Sequence, residues 1–182
     1  AIDNRAGGFM IAQVARLLSE NKITLPFGLY ITNSVQEEVG LRGAEMITQT
    51  IKPNVAIVTD VCHDTTTPMI NKKTEGHIEI GKGPVISYAP AVQNNLRERI
   101  IETAENKKIP FQRLASSRFT GTDTDAFAYS NGGVASALIS LPLRYMHTTV
   151  ETVHREDVEN VIQLMYETLL RIKDGESFSY FD

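Results

Sequence analysis

Residues 54–59 read Asn-Val-Ala-Ile-Val-Thr, a nearly continuous apolar run that is rich in β-branched side chains. This composition is typical of a strand that is buried on both faces of its sheet. A second run of the same kind, VASALISL, occupies residues 134–141, and a predicted helix precedes each run. We therefore predict the α/β class, with a mixed central β-sheet sandwiched by helices.

The rest of the chain alternates between helical and extended patterns. Apolar residues recur at helical spacing over residues 5–19, 42–51, 92–107, 123–129 and 155–172, and these ranges are predicted helices. Shorter runs of strand-forming residues predict strands at 26–33, 75–80, 85–88 and 110–116. Because no internal repeat or low-complexity linker divides the 182 residues, we predict one domain.

The composition excludes several classes of function. A net charge of −4 without a dense basic run argues against a nucleic-acid partner. No apolar segment reaches the roughly 18 residues of a membrane span, and no signal-peptide pattern is present. The single cysteine, Cys62, excludes an intrachain disulfide and fits a reducing compartment. We expect a cytoplasmic protein that binds neither nucleic acid nor membrane.

Two adjacent carboxylates, Glu37 and Glu38, lie in the stretch VQEEVG at residues 35–40. They follow the predicted strand at 26–33, and in open α/β sheets ligands bind at the carboxyl ends of strands. Like charges this close raise each other's pKa unless a positive group keeps them ionised. The nearest Lys or Arg in the sequence is Arg42. A metal ion is therefore the first candidate for that positive group.

Three more polar residues are expected at the same edge of the sheet. Asp60 follows the run at 54–59, His147 follows the run at 134–141, and Asp3 would join them if a further strand preceded it. Carboxylate and imidazole groups without a thiolate cluster suit zinc, cobalt or manganese. Two such ions bridged by a carboxylate and a water generate a hydroxide near neutral pH and polarise a carbonyl. A free carboxylate beside them can act as general base.

Six sequence blocks occur in the order found in a known family. They are residues 1–7 (AIDNRAG), 35–44 (VQEEVGLRGA), 60–64 (DVCHD) with 67–68 (TP), 81–84 (GKGP), 121–123 (GTD) and 142–147 (PLRYMH). Together they resemble the dinuclear-metal glutamyl and deblocking aminopeptidases, some of which form tetrahedral particles and some of which carry the name endoglucanase or cellulase M. The resemblance extends to about residue 157. It implies a zinc-peptidase-like α/β/α fold and a peptide substrate.

The resemblance also implies a role for each matching residue. Asp3 would bridge both metal ions, with a cis peptide bond to Asn4, and Glu37 would be the general base that serves a metal-bridging hydroxide. Glu38 and His147 would bind one ion. Asp60 would bind the other. Two divalent ions are therefore expected, zinc or cobalt with manganese as the alternative.

Substrate contacts are predicted at two further places. Arg144 would either hold a substrate carboxylate or fix the loop that carries His147, and both roles stay open. Thr122 and Asp123, in the turn at 121–123, would line the substrate site.

The sequence departs from the family in two respects. It has no His-x-Asp motif to complete the second ion, and it has no smaller dimerisation domain before Asp3. We expect residues 1–182 to be the C-terminal portion of a longer catalytic chain whose full-length form is a homo-oligomer. As given, the chain should bind one ion weakly and be catalytically poor.

Other interpretations remain open at this point. Paired carboxylates also occur in glycoside hydrolases, but those acids flank the scissile bond about 5 to 10 Å apart without a metal. A peptide-binding relative that has lost one metal, or another amidohydrolase such as a deacylase, would share many of the same residues. Individually, Asp3 could cap a helix, Asp60 could be a turn residue and His147 a loop residue.

Overall fold

The computed structural model describes residues 2–180. Ala1, which opens the first family block, and residues 181 and 182, which close the predicted catalytic domain, lie outside the described residues. The helices are α1 (Ile2–Glu20), α2 (Arg42–Ile51), α3 (Lys72–Glu75), α4 (Asn94–Lys107), α5 (Asp123–Ala128) and α6 (Arg155–Arg171). The strands are β1 (Val55–His63), β2 (Val85–Tyr88), β3 (Gln112–Ala115) and β4 (Ala135–Leu143).

The four strands form one mixed sheet in the order β1-β4-β2-β3. β1 and β4 are parallel and paired along their whole length, from Val55 opposite Ala135 to His63 opposite Leu143. β2 is antiparallel to β4 and parallel to β3. Because β1 and β4 run in the same direction, their carboxyl ends meet at one edge of the sheet. The predicted mixed sheet is confirmed.

Helices cover both faces of this sheet. Alternate residues of β4, including Ile139, Leu141 and Leu143, are fully buried in the core cluster to which α1, α4 and α6 also contribute. On the opposite face α2 and α5 pack over a smaller apolar cluster that contains Ala56 and Phe127. Burial of alternate side chains on opposite faces is what the period of two along a strand requires. The predicted helix–sheet–helix sandwich is therefore confirmed.

Two predicted strands are wrong. Residues 26–33 run irregularly, and Tyr30 is 69% exposed. Their strand-forming composition produces no strand because, among residues 2–180, the sheet ends at β1 and no strand pairs with this segment. Several segments line a cleft of about 1740 Å³, among them most of residues 27–34 and the first part of β1. Residues 75–80 form no strand either, because α3 ends at Glu75 and the carbonyl of Ile78 accepts a hydrogen bond from the amide of Thr65, which lies outside the sheet strands.

Apart from the short helix α3, which the sequence patterns did not predict, the remaining elements match the sequence prediction to within a few residues, and the two long strands extend further than predicted. β1 continues to His63, so Asp60 lies within the strand and not at its end. β4 continues through Pro142 to Leu143, which brings the following loop to the same edge. Among residues 2–180, no helix combines the length and the apolar character that crossing a lipid bilayer requires.

Candidate metal centre

The acidic loop at residues 35–40 is held in place by the beginning of α2. The amide of Gly43 donates to the carbonyl of Val35 at 2.9 Å, and the amides of Gly40 and Leu41 donate to the carbonyl of Glu37 at 3.1 and 3.0 Å. A side chain at position 43 would place its Cβ only 2.4 Å from the Val35 carbonyl oxygen. Any larger residue there would displace the Val35 backbone, and the close approach that glycine permits fixes the loop that carries both glutamates.

Asp3 reaches the same region from the start of α1. Asp3 and Asn4 lack helical backbone angles, and the peptide bond between them is cis, as the family resemblance implies. The Asn4 side chain accepts from the Gly7 amide at 2.8 Å and donates to the Thr59 carbonyl of β1 at 3.0 Å. Asn4 thus begins the regular helix and ties it to the sheet. It is Asn4, and not Asp3, that caps the helix.

Three of the predicted ligands converge. Asp3 Oδ2 lies 3.0 Å from His147 Nε2, and Glu38 Oε2 lies 3.7 Å from the same nitrogen. One ligand atom from each of Asp3, Glu38 and His147 lies within 4.8 Å of the others, which makes them the one candidate metal group among residues 2–180. The Asp3 side chain is 9% exposed and the imidazole 64%. Two carboxylates and an imidazole are a donor set that zinc accepts.

Asp60 belongs to a second, more buried group of acids. It is 7% exposed, and its Oδ1 accepts from the neighbouring amide of Val61 at 2.8 Å. Burial, together with the charges of Glu37, Asp3 and Asp123, raises the pKa of Asp60 to about 7 against the lowering effect of that hydrogen bond. A carboxyl with this pKa is only partly ionised at neutral pH, and a nearby cation would favour its ionised form.

Glu37 and Asp123 complete the second group. Burial raises the pKa of Glu37 to about 7, and the charges of Asp123, Glu38 and Asp3 add to the effect. Burial also raises the pKa of Asp123, whose Oδ2 accepts from the Ser34 hydroxyl. The other oxygen, Asp123 Oδ1, is buried and has no hydrogen-bond partner within residues 2–180.

A divalent cation fits this arrangement. Burial and the negative charge of Glu38 raise the pKa of Asp3 against the lowering effect of His147, so Asp3, Glu37, Asp60 and Asp123 all hold carboxyls that resist ionisation. A bound cation would relieve the repulsion among these carboxyls and would favour their ionised forms. Asp3, Glu38 and His147 could hold one ion, and Asp60 is the predicted ligand of another.

The predicted substrate residues occupy different surroundings. Asp123 lines the cleft. Thr122 is 6% exposed and caps α5 by accepting from the Thr124 amide at 3.2 Å. Arg144 donates to the Thr66 hydroxyl at 2.8 Å, so it braces the loop after β1. The structure thus gives Thr122 and Arg144 structural contacts, and their contact with substrate stays a prediction.

One residue that the sequence reasoning missed contacts the backbone segments that carry Asp3 and His147. Glu151 Oε2 accepts from the amides of Ile2 and Asp3 at 2.7 and 3.3 Å, and its Oε1 accepts from the amide of His147 at 3.0 Å. Its position four residues after His147 was the only available signal. Backbone contacts of this kind leave no pattern in a sequence, because any residue type can supply an amide.

Comparison with known proteins relates the chain to peptidases. The model of a family described as M42 glutamyl aminopeptidase matches residues 1–164. The lysyl aminopeptidase of Pyrococcus furiosus is 38% identical over 172 residues, which cover 94% of this chain and 48% of that protein. The chain therefore spans about half the length of this curated relative.

Solved structures give the same relation. A TET aminopeptidase from a marine sediment archaeon of the Thaumarchaeota shares 32% identity with a TM-score of 0.88, covering 95% of this chain and 49% of that one. A TET peptidase of Pyrococcus horikoshii, which can assemble into a tetrahedron or a large octahedral shell, has a TM-score of 0.74 over 94% of this chain and 49% of its own. At 24% identity the second structure shows likeness of fold alone.

Proposed function

Because the chain belongs to the M42 glutamyl aminopeptidase family, we propose that it supplies catalytic residues for metal-dependent removal of N-terminal residues from peptides. The observation that carries the proposal is the convergence of Asp3, Glu38 and His147, with ligand atoms within 4.8 Å of one another. Glu37, the neighbour of one of these ligands, faces the same group of charges.

The proposed cofactor is a pair of divalent ions, zinc or cobalt with manganese as the alternative. Asp3, Glu38 and His147 would hold one ion, and Asp60, with Asp3 as the shared ligand, would hold the other. When bound, such a pair supplies a water that ionises near neutral pH, and the ions themselves polarise the scissile carbonyl. Carboxylate and imidazole ligands without thiolates support this choice of metals.

Glu37 is the proposed general base. Burial and neighbouring carboxylates raise its pKa to about 7, which suits a group that accepts and returns a proton near neutral pH. Burial favours the neutral form of Glu37, whereas bound cations would favour its ionised form and lower this pKa. Glu37 would take a proton from the attacking water as the water oxygen bonds to the carbonyl carbon. It would then give that proton to the amine as the carbon–nitrogen bond breaks.

The protein as its gene encodes it is proposed to be a homo-oligomer. The support is the assembly stated for the Pyrococcus horikoshii TET peptidase, whose fold this chain shares. Light scattering coupled to size-exclusion chromatography measures this directly, and a monomer at micromolar concentration would contradict it.

The function is tested with the protein as its gene encodes it, stripped with chelator and reloaded with zinc, cobalt or manganese. We expect release of N-terminal residues from aminoacyl chromogenic amides to disappear on chelation and to return with metal. Glu37→Gln should lower kcat/KM by about 10²- to 10⁴-fold, the range of general-base catalysis, with metal content unchanged. Glu45→Gln, which changes an exposed glutamate of α2, is the matched control.

The same assay separates the alternatives. Hydrolysis of a polysaccharide that survives chelation would favour a glycoside hydrolase, for which adjacent Glu37 and Glu38 are a poor pair because its two acids must flank the bond. Peptide binding without cleavage in the metal-loaded protein would favour a non-catalytic relative. Full activity of Glu37→Gln would contradict the role given to that residue.

A further inference from the structure

Glu151 links the two backbone segments that carry Asp3 and His147. One of its carboxylate oxygens accepts from the amides of Ile2 and Asp3 at 2.7 and 3.3 Å. The other accepts from the amide of His147 at 3.0 Å. The two segments are more than 140 residues apart in sequence, and a single side chain holds them at a fixed spacing.

The loop that carries His147 needs such a restraint. Tyr145 and His147 both have left-handed backbone angles, with φ of 58° and 61°. The base of the loop is closed by two hydrogen bonds between the backbones of Arg144 and Thr152, at 2.9 and 3.1 Å. The imidazole itself is 64% exposed, so packing does little to hold it. The hydrogen bond from its own amide to Glu151 fixes the middle of the loop.

The chemistry of Glu151 suits support of ligands and not ligation. An ionised carboxylate offers acceptors only, and here both oxygens receive backbone N–H groups. Glu151 is also not among the three residues whose ligand atoms converge. Hydrogen bonds from amides to a charged acceptor are stronger than those to a neutral one, so the negative charge matters as well as the shape.

We propose that Glu151 is a positioning residue that sets the distance between Asp3 and His147 and so determines the affinity of the first metal ion. The inference rests on the metal site of the proposed function. It assigns no contact with substrate or metal to Glu151. Residues that only orient a metal ligand typically contribute 10- to 100-fold to affinity.

The test measures binding of Co²⁺ to the 182-residue chain by titration calorimetry and by the visible absorption of the bound ion. Glu151→Gln keeps the shape of the side chain but replaces one of its two acceptor oxygens with an NH2 donor, which leaves at least one of the three backbone N–H groups without its acceptor. We expect its Co²⁺ affinity to fall by about 10- to 100-fold and its visible spectrum to change. Glu151→Asp keeps the charge on a shorter side chain and should fall between wild type and Glu151→Gln.

Glu159→Gln is the matched control, because it removes an exposed carboxylate that pairs with Arg155 at 2.7 Å. It should keep the wild-type affinity and spectrum. A Glu151→Gln variant with wild-type affinity and spectrum would overturn the positioning role without contradicting the proposed function. A wild-type chain that binds no divalent ion would overturn both.

Hydrogen exchange in the wild type checks the contacts without any variant. We expect slow exchange at the amides of Ile2 and His147, and fast exchange at both would overturn the contacts.

Discussion

The two halves of the candidate site are built differently. In the first half, the ligand atoms of Asp3 and Glu38 lie 3.0 and 3.7 Å from Nε2 of His147. Asp60, Glu37 and Asp123 gather negative charge in more buried surroundings, and each has a raised pKa. The ligand atoms of the first half converge, as binding of a cation requires. The second half carries negative charge that a cation would neutralise, but its acids do not form a converged set of ligands among residues 2–180.

This difference separates geometry from charge. A metal site needs both donors at the right distances and a net charge that a cation neutralises. The first half meets both conditions with residues from α1, the acidic loop and the loop after β4. In the second half Asp60 lies within β1, so the sheet fixes its position. We therefore expect the two halves to respond differently to substitution.

The largest expected effect is on metal affinity. His147→Ala should weaken binding of the first Zn²⁺ or Co²⁺ to the 182-residue chain by at least about 100-fold, because even loss of a residue that orients a ligand costs roughly 10- to 100-fold. Asp60→Asn should weaken it by less than about tenfold, since Asp60 lies outside the converged group. The wild-type chain should bind about one ion. Equilibrium dialysis with elemental analysis measures both the stoichiometry and the affinities.

His77→Ala serves as the control for this comparison. His77 is an exposed histidine paired with Glu79 at 3.2 Å, and its removal should leave metal affinity unchanged. Equal losses for His147→Ala and Asp60→Asn would mean that the two halves act as one site. Two tightly bound ions in the wild-type chain would contradict the prediction that only the first half holds an ion tightly.

The next effect is a pH dependence of stability in the metal-free chain. The pKa of Asp60 is raised from 3.8 to about 7, so the folded state keeps a proton that the unfolded state has lost. Between these values the folded state binds more protons, and stability therefore falls as pH rises. We expect the free energy of unfolding in the presence of chelator to decrease by about 2 kcal/mol between pH 5 and pH 7.5 because of Asp60.

Asp60→Asn isolates the contribution of this residue. It keeps an oxygen that can accept from the Val61 amide, and it should remove about 2 kcal/mol of the pH dependence measured by urea unfolding. Saturating Zn²⁺ should reverse the trend, because metal binds the deprotonated ligands. A free energy of unfolding of the metal-free chain that stays constant or rises from pH 5 to pH 7.5 would show that the pKa of Asp60 is not raised in the folded state.

Sequence patterns predicted the parts of this molecule that depend on local composition. The run at 54–59 predicted β1, and helical spacing predicted α2 and α6, because burial periodicity is written directly in the residue types. Residues 26–33 show the limit of such reasoning. Their composition favours a strand, but a strand exists only where another strand pairs with it.

The candidate site shows the same limit. The identities of Asp3, Glu38 and His147 came from sequence blocks, and their convergence required the structure. Glu151 acts through backbone amides, and Asp123 joins the acids because α5 packs against β1 and β4. Neither contact has a signature in spacing, since each depends on where distant segments meet.

The smallest expected effect concerns the loop that serves both halves. Gly43→Ala would place a Cβ 2.4 Å from the Val35 carbonyl oxygen and 2.5 Å from its amide nitrogen, so the backbone that carries Glu37 and Glu38 must move. Alanine favours helix by about 1 kcal/mol over glycine, whereas overpacking costs roughly 1 to 3 kcal/mol. We expect a net loss of about 1 kcal/mol in urea unfolding and a few-fold weaker Co²⁺ binding. Gly8→Ala in α1, whose Cβ would have no neighbour nearer than Asn33 at 3.8 Å, should be neutral or slightly stabilising. If Gly43→Ala behaved like Gly8→Ala in both measurements, the fixed contact between the acidic loop and α2 would not be what positions Glu38 against His147.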